Sequence, residues 1–256
     1  MVVTTETKGR VFVVTLDRPE SRNAINMDLS IELRAAFEEF RSNKELWVAV
    51  LAGNGKDFCA GADIKESSGR GKRGGRVNGV VMGGILRDFE CWKPIVGALH
   101  GNVLGGGLEL AMCCDIRIAD ETARFGQLEI LLGRMPGGGG TQRLPRAIPL
   151  AVALELILTG DKIDAARAER IGLVNHVVPA GQSLEHSVEL ATRIAERSAP
   201  IATRRAKEAV YRGTSMTLED GLRFEEIIAR TLAHTSDLQE GTRSFVERRP
   251  PKYEAR

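Results

Sequence analysis

Pro94-Ile95-Val96-Gly97-Ala98-Leu99-His100-Gly101-Asn102-Val103-Leu104-Gly105-Gly106-Gly107-Leu108-Glu109-Leu110-Ala111-Met112-Cys113-Cys114-Asp115-Ile116-Arg117-Ile118-Ala119 changes its hydrophobic habit twice. Pro94 to Leu99 is a short apolar run of strand length, and Leu108 to Cys114 is an apolar helical segment entered through glycines. Ile116 to Ala119 is a strand again. A strand, a Gly-rich turn, a helix and a strand in succession predict α/β layering. Upstream the same alternation holds. Val11 to Leu16 is a β-branched run closed by the turn signal Asp17-Arg18-Pro19-Glu20. Leu29, Leu33, Ala36, Phe37 and Phe40 recur at helical spacing, and Trp47 to Ala52 forms a buried strand ending at Gly53-Asn54-Gly55. A further helix is expected over Val80 to Trp92, with Gly83-Gly84 as its weak point.

Downstream of about Leu150 the strand signals mostly stop. Ala151–Leu158, Ala165–Ile171, Leu184–Arg197, Ile201–Tyr211 and Leu218–Leu232 carry helical patterns. The expected organisation is an α/β core over 1–195, continuous with a helical C-terminal region over 196–256 that serves oligomerisation.

Composition narrows the function classes. A chain of 256 residues with 43% apolar and 27% charged residues can bury a sizeable core. A formal net charge of +2 is too balanced for a nucleic-acid protein, so no nucleic-acid partner is expected. Cys59, Cys91, Cys113 and Cys114 lack metal or disulfide spacing and suit reduced thiols. The four histidines, His100, His176, His186 and His234, have no ligand spacing, so no metal site is expected. No apolar stretch has spanning length, and Met1 to Lys8 resembles neither a signal nor a transit peptide. A cytoplasmic protein without membrane contact is the expectation.

Three segments carry chemistry. Phe58-Cys59-Ala60-Gly61-Ala62-Asp63 is a turn of small residues after a strand, able to bring backbone N–H groups close to a ligand. Leu104-Gly105-Gly106-Gly107-Leu108-Glu109 opens a helix, where unpaired N–H groups point outward. Phe125-Gly126-Gln127-Leu128-Glu129-Ile130-Leu131-Leu132 sets one carboxylate among apolar neighbours. Each segment alone also suits ordinary packing. Cys59 has no nearby base and reads as a packing thiol. The run Gly137–Gly140 lacks the Lys and Ser/Thr of a phosphate loop, and Arg204, Arg205 and Lys207 form a solvated basic face.

Taken together in order, these stretches resemble the crotonase (enoyl-CoA hydratase/isomerase) superfamily over Val11 to about Tyr253. Further stretches carry the resemblance: Arg18-Pro19 with Asn23-Ala24-Ile25-Asn26, Gly101 to Gly107, Pro136 to Leu144, and Phe245-Val246-Glu247-Arg248-Arg249. The resemblance implies a crotonase fold of repeated ββα units with a helical trimerisation region, assembled as a trimer or a dimer of trimers. It implies an oxyanion hole from the N–H groups of Ala62 and Gly106. It implies coenzyme A along Ala60, Ala62, Asp63, Ile64 and Lys65, with Arg22, Phe245 and Arg248 also at coenzyme A contacts, the last two often reaching a neighbouring subunit. Hydratases of the family use two glutamates, and both matching positions are Glu here, Glu109 and Glu129; isomerases typically keep an acid only at the second. Glu109 is expected as the water-activating base, since the first helical turn favours the ionised form. Glu129, in apolar company, is expected as the proton donor.

The implied reaction is hydration of a 2-trans-enoyl-CoA, with no separate cofactor because coenzyme A is part of the substrate. Alternatives are isomerisation of an enoyl-CoA, dehydration of a carnitinyl-CoA, or a non-catalytic binding protein. The sequence departs from the family habit at Leu128, where many relatives have Pro. It departs again in the Arg/Gly-rich stretch Glu66 to Gly84, read as a solvated loop or as a lid over the acyl pocket.

Overall fold

The computed structural model describes residues 1–64 and 79–256. Lys65 and positions 66–78 of the Arg/Gly-rich stretch lie outside the described residues, so the expectations placed on them are not tested.

Six strands form the main sheet, in the order β1 (Val3–Lys8), β2 (Val11–Leu16), β3 (Val48–Gly53), β4 (Ile95–Leu99), β6 (Ile116–Asp120), β9 (His176–Val178). Only the β1–β2 pair is antiparallel; the remaining neighbours run parallel. Parallel strands need both faces covered, and the period of two in the strands delivers two apolar faces. Val11, Val13, Val48, Val50, Val96, Ala98 and Ile118 face Ala191 and Ala195 of α6 (Ser183–Arg197). On the other face Phe12, Val14, Leu16, Ala49, Leu51 and Leu99 meet Leu29, Leu33, Phe37 and Phe40 of α1 (Met27–Ser42). Phe12 stacks on Phe40 at 6.3 Å between ring centroids, and Phe37 meets Phe40 edge-on.

Helix α1 starts where Asn26 accepts a hydrogen bond from the Leu29 N–H, and its C-terminal carbonyls are met by the buried Lys93. That ammonium donates to Phe40 O and Asn43 O at 2.5 and 2.6 Å, so a cation closes the negative end of the helix.

A second, smaller sheet positions the site. It consists of β5 (Asn102–Leu104), β7 (Arg124–Gly126) and β8 (Ile163–Asp164), with β5 and β7 parallel. Helix α2 (Gly106–Ala111) leaves the end of β5. After β7 the chain enters the 3-10 turn Glu129–Leu132, then α3 (Gly140–Ala147), α4 (Leu150–Thr159) and α5 (Ala165–Arg170). The chain finishes through α7 (Pro200–Gly213), α8 (Leu218–Arg230) and α9 (Ser236–Glu247). An α/β core followed by helices is the architecture expected from the sequence.

Two local expectations are corrected. Val80 to Trp92 is a series of turns and bends, not a helix. Gly83, Gly84 and Asp88 take φ values of 85°, 64° and 56°, and left-handed residues end helical propagation. Its apolar residues still bury, since Ile85 and Leu86 are in the core. The helix expected over Leu108 to Cys114 is α2, which begins earlier and ends at Ala111.

Candidate active site

Two isolated bridges fix the small-residue turn: Cys59 pairs with Val103 of the second sheet, and Ile25, just ahead of α1, pairs with Ala62. In the second bridge, Ile25 N–H donates to Gly61 O at 2.8 Å and Asp63 N–H donates to Ile25 O at 2.9 Å. A parallel bridge of this kind uses the residues flanking Ala62 and turns the N–H of Ala62 itself away from Ile25. Gly106 is the first residue of α2, where an N–H has no intrahelical partner. Neither N–H has a hydrogen-bond partner among the described residues. They are close together, because a Cβ built on Gly106 would lie 3.6 Å from the Ala62 nitrogen. The approach depends on Gly107, whose hypothetical Cβ would stand 2.2 Å from Cys59 O. A side chain there would push the 58–62 turn off the helix.

Glu109 stands one turn into α2, 3% exposed. Its Oε1 accepts hydrogen bonds from the N–H groups of Gly138 and Gly140, both at 2.7 Å. Two effects oppose each other at this carboxyl. Burial raises its pKa, and the two N–H donors with the nearby Arg143 and Arg87 lower it. Burial is the larger effect and the net direction is upward. The first-turn position alone suggests a carboxylate held ionised; the depth of the site works against that.

Glu129 opens the 3-10 turn that follows β7. Because β5 and β7 are parallel neighbours, with Leu104 opposite Gly126, the elements that leave their ends deliver both glutamates to one side. Glu129 Oε1 lies against Gly105, 2.9 Å from where a Cβ would be, and Oε2 is buried without a hydrogen-bond partner among the described residues. Burial, and secondarily the neighbouring Glu109, pushes its pKa up to about 7 despite a bond from its own backbone. Near neutral pH one carboxyl is therefore held by two backbone donors and the other is partly protonated.

The remaining expected site residues fall into two groups. Ala60, Asp63, Ile64 and Arg22 gather around the turn: Ala60 N–H donates to Arg22 O at 3.0 Å, Asp63 pairs with Arg18 at 3.3 Å, and Ile64 is 40% exposed. Arg22 has a left-handed backbone, φ 54°, and an exposed side chain 3.9 Å from the Asp57 carboxylate. Phe245, 85% exposed, and Arg248 sit at the end of α9, and neither is hydrogen-bonded to the turn among the described residues. Cys59 is a packing group: its thiol donates to Asn23 O, and burial pushes its pKa up to about 12.

The Gly137–Gly140 run, which lacks the residues of a phosphate loop, is the cradle of Glu109. The available signal was a glycine run directly before a helix, which leaves N–H groups free to turn inward. Gln127, two residues before Glu129, has no role that its sequence context displays. It is fully buried beside Gly140, with both ends of its amide unpaired among the described residues.

A sequence model described as enoyl-CoA hydratase/isomerase matches residues 6–256. The chain belongs to the enoyl-CoA hydratase/isomerase family. It is 47% identical over 98% of its length to a protein of Rhizobium meliloti (strain 1021) named as a probable enoyl-CoA hydratase, covering 97% of that protein. It is 40% identical to the short-chain-enoyl-CoA hydratase of Clostridium acetobutylicum, over 95% of this chain and 94% of the relative. The crystal structure of enoyl-CoA hydratase from Bacillus anthracis superposes with a TM-score of 0.93 at 36% identity, covering all of both chains. The α/β expectation thus stands as the crotonase fold of these hydratases. No helix among the described residues is long and apolar enough to cross a membrane. No group of His, Cys, Asp or Glu side chains among them is arranged to hold a metal ion.

Proposed function

We propose that this enzyme adds water across the double bond of a 2-trans-enoyl-CoA, giving the 3-hydroxyacyl-CoA. The observation that carries this reading is the convergence of two unpaired N–H groups, Ala62 and Gly106, with two carboxyls of unequal environment, Glu109 and Glu129. The thioester carbonyl oxygen would accept from both N–H groups. Glu109 takes a proton from water as the oxygen forms its bond to the β-carbon. The π electrons move toward the carbonyl, and the enolate-like charge falls on the oxygen held by the two donors. Removing a donor of this type costs about 3–4 kcal/mol in other enzymes. Glu129 then delivers its proton to the α-carbon, and proton exchange with solvent restores both carboxyls. Preformed donors and two positioned acid–base groups suffice for this chemistry, so no cofactor is required beyond the coenzyme A of the substrate.

Coenzyme A is read along Ala60 to Lys65 and Arg22, with Phe245 and Arg248 serving a neighbouring subunit of a cytoplasmic trimer or dimer of trimers. The exposure of Phe245 and Arg248 on the single chain supports that part of the reading. The test is a panel of 2-enoyl-CoA thioesters of different length, followed by loss of enoyl absorbance. Turnover of at least one is expected. Inertness toward all of them, with isomerisation of a 3-enoyl-CoA instead, would replace hydration by the sister reaction.

A further inference from the structure

Glu109 does not rest on bare glycines. Its Oε1 is held by two peptide groups, and both have their carbonyl ends occupied. The Gly137–Gly138 peptide gives its N–H to Glu109, while its carbonyl oxygen accepts from the Arg87 guanidinium. The Gly139–Gly140 peptide gives its N–H to Glu109, while its carbonyl accepts from the backbone N–H groups of Gln142 and Arg143 at 3.0 and 2.7 Å. Between them the carbonyl of Gly138 accepts from Arg143 Nη1 at 2.9 Å, and the same guanidinium donates through Nη2 to Leu86 O at 2.6 Å. Leu86 closes the arrangement. Its Cδ1 lies 2.7 Å from the hypothetical Cβ of Gly138, and Glu109 Oε2 lies 2.3 Å from the same point. One arginine thus pins the glycine turn to the 83–88 segment, and a second draws on the peptide that grips the carboxylate.

We infer that Arg143 and Arg87 are positioning residues for the general base, acting on Glu109 through the Gly137–Gly140 turn. This rests on the reading of Glu109 as the water-activating group. A donor bonded at its carbonyl end is a polarised peptide and a stronger donor at its N–H end. Two fixed cations near a buried carboxylate also favour its ionised form. The direction agrees: both arginines oppose the upward push of burial on Glu109. Among the described residues, the other titratable groups facing Glu109 are Glu129 and Cys113. Glu129 is coupled to it, and the Cys113 thiol, pushed up by burial to about 11, stays neutral over the working range. Arg143 is needed for geometry and charge, because the two nitrogens of its planar fork hold Gly138 O and Leu86 O in one fixed arrangement, which the point charge of an ammonium on a flexible stem does not reproduce. Arg87 lies on the surface and supplies charge through one bond.

The experiment uses the full chain carrying Arg143→Met, Arg143→Lys or Arg87→Met. It reads kcat, KM and the pH dependence of kcat/KM, with a 13C-carboxyl titration of Glu109 in a Glu129→Gln background. Arg143→Met is expected to lower kcat by about 100-fold, the scale of a small misplacement of a reacting group, with KM little changed. The acid limb of the profile and the Glu109 titration should both move to higher pH. Arg143→Lys should return part of that shift and less of the turnover, and Arg87→Met should give a smaller shift of the same sign. An acid limb and a carboxyl titration that stay at their wild-type positions in Arg143→Met and Arg87→Met would overturn the inference. If Arg143→Met does not fold, the surface variant Arg87→Met decides by the same readings. Wild-type enzyme inert toward enoyl-CoA thioesters would instead sink the proposed function, and the carboxyl titration would still judge the arginines.

Discussion

Glu109 is buried and Glu129 half-buried with one oxygen fully covered, and they differ in what surrounds their oxygens. Glu109 has two N–H donors on one oxygen, while Glu129 has an oxygen with no partner among the described residues. That difference sets the expected pH profile. Hydration needs Glu109 ionised and Glu129 protonated, so kcat/KM should rise through an acid limb and fall again as pH passes about 7, where Glu129 loses its proton. The two limbs belong to the coupled pair, so removing one carboxyl also moves the limb that remains. Glu129→Gln should abolish the alkaline limb along with most of the activity. An alkaline limb kept at its wild-type position in the residual activity of this variant would assign that ionisation to another group. The sequence already holds the apolar neighbours that raise Glu129. It does not display the donors that hold Glu109, because Gly138 and Gly140 are about thirty residues away and act through their backbone.

At the scale of elements, the site depends on α2 and the 58–62 turn touching without a side chain between them. Gly107→Ala should cost roughly 1–3 kcal/mol in denaturant unfolding, the usual range for overpacking. It should also lower kcat more than it weakens substrate binding, since the Ala62 N–H is displaced from its companion. Unchanged turnover in a folded Gly107→Ala protein would separate the turn from the chemistry. The long periodic elements were legible: α1 through its Leu29, Leu33, Phe37 and Phe40 stripe, and β2, β3 and β4 through continuous apolar runs. The edge strand β1 was missed because Thr4 to Lys8 are polar and largely exposed. Strands β5, β7 and β8 have only two or three residues, too few for any period to show. They are held by pairing across the fold. The 80–92 segment read as helical because its apolar residues do bury, but Gly83 and Gly84 adopt the left-handed conformation at a turn.

For the whole molecule, apolar side chains remain uncovered on the single chain. Leu150, Leu154 and Leu158 lie one turn apart on α4 and are 63%, 45% and 65% exposed, and Phe245 and Val246 stand open at the end of α9. Exposed apolar faces of this kind mark interfaces, and closed cyclic assemblies are their ordinary outcome. Light scattering at micromolar concentration should give a mass of three or six chains, and a fully active monomer would contradict both the assembly and the reading of Phe245 and Arg248 as contacts to a neighbour's coenzyme A. The central claim is that one pair of glutamates adds water to an enoyl thioester. The most direct measurement compares Glu109→Gln and Glu129→Gln with wild type on the best substrate of the enoyl-CoA panel, recording loss of enoyl absorbance and, separately, substrate binding. Each variant is expected to bind substrate as wild type does and to turn over at least 100-fold more slowly, at the lower end of what general acid–base catalysis supplies. Turnover near wild type by either variant would contradict the account.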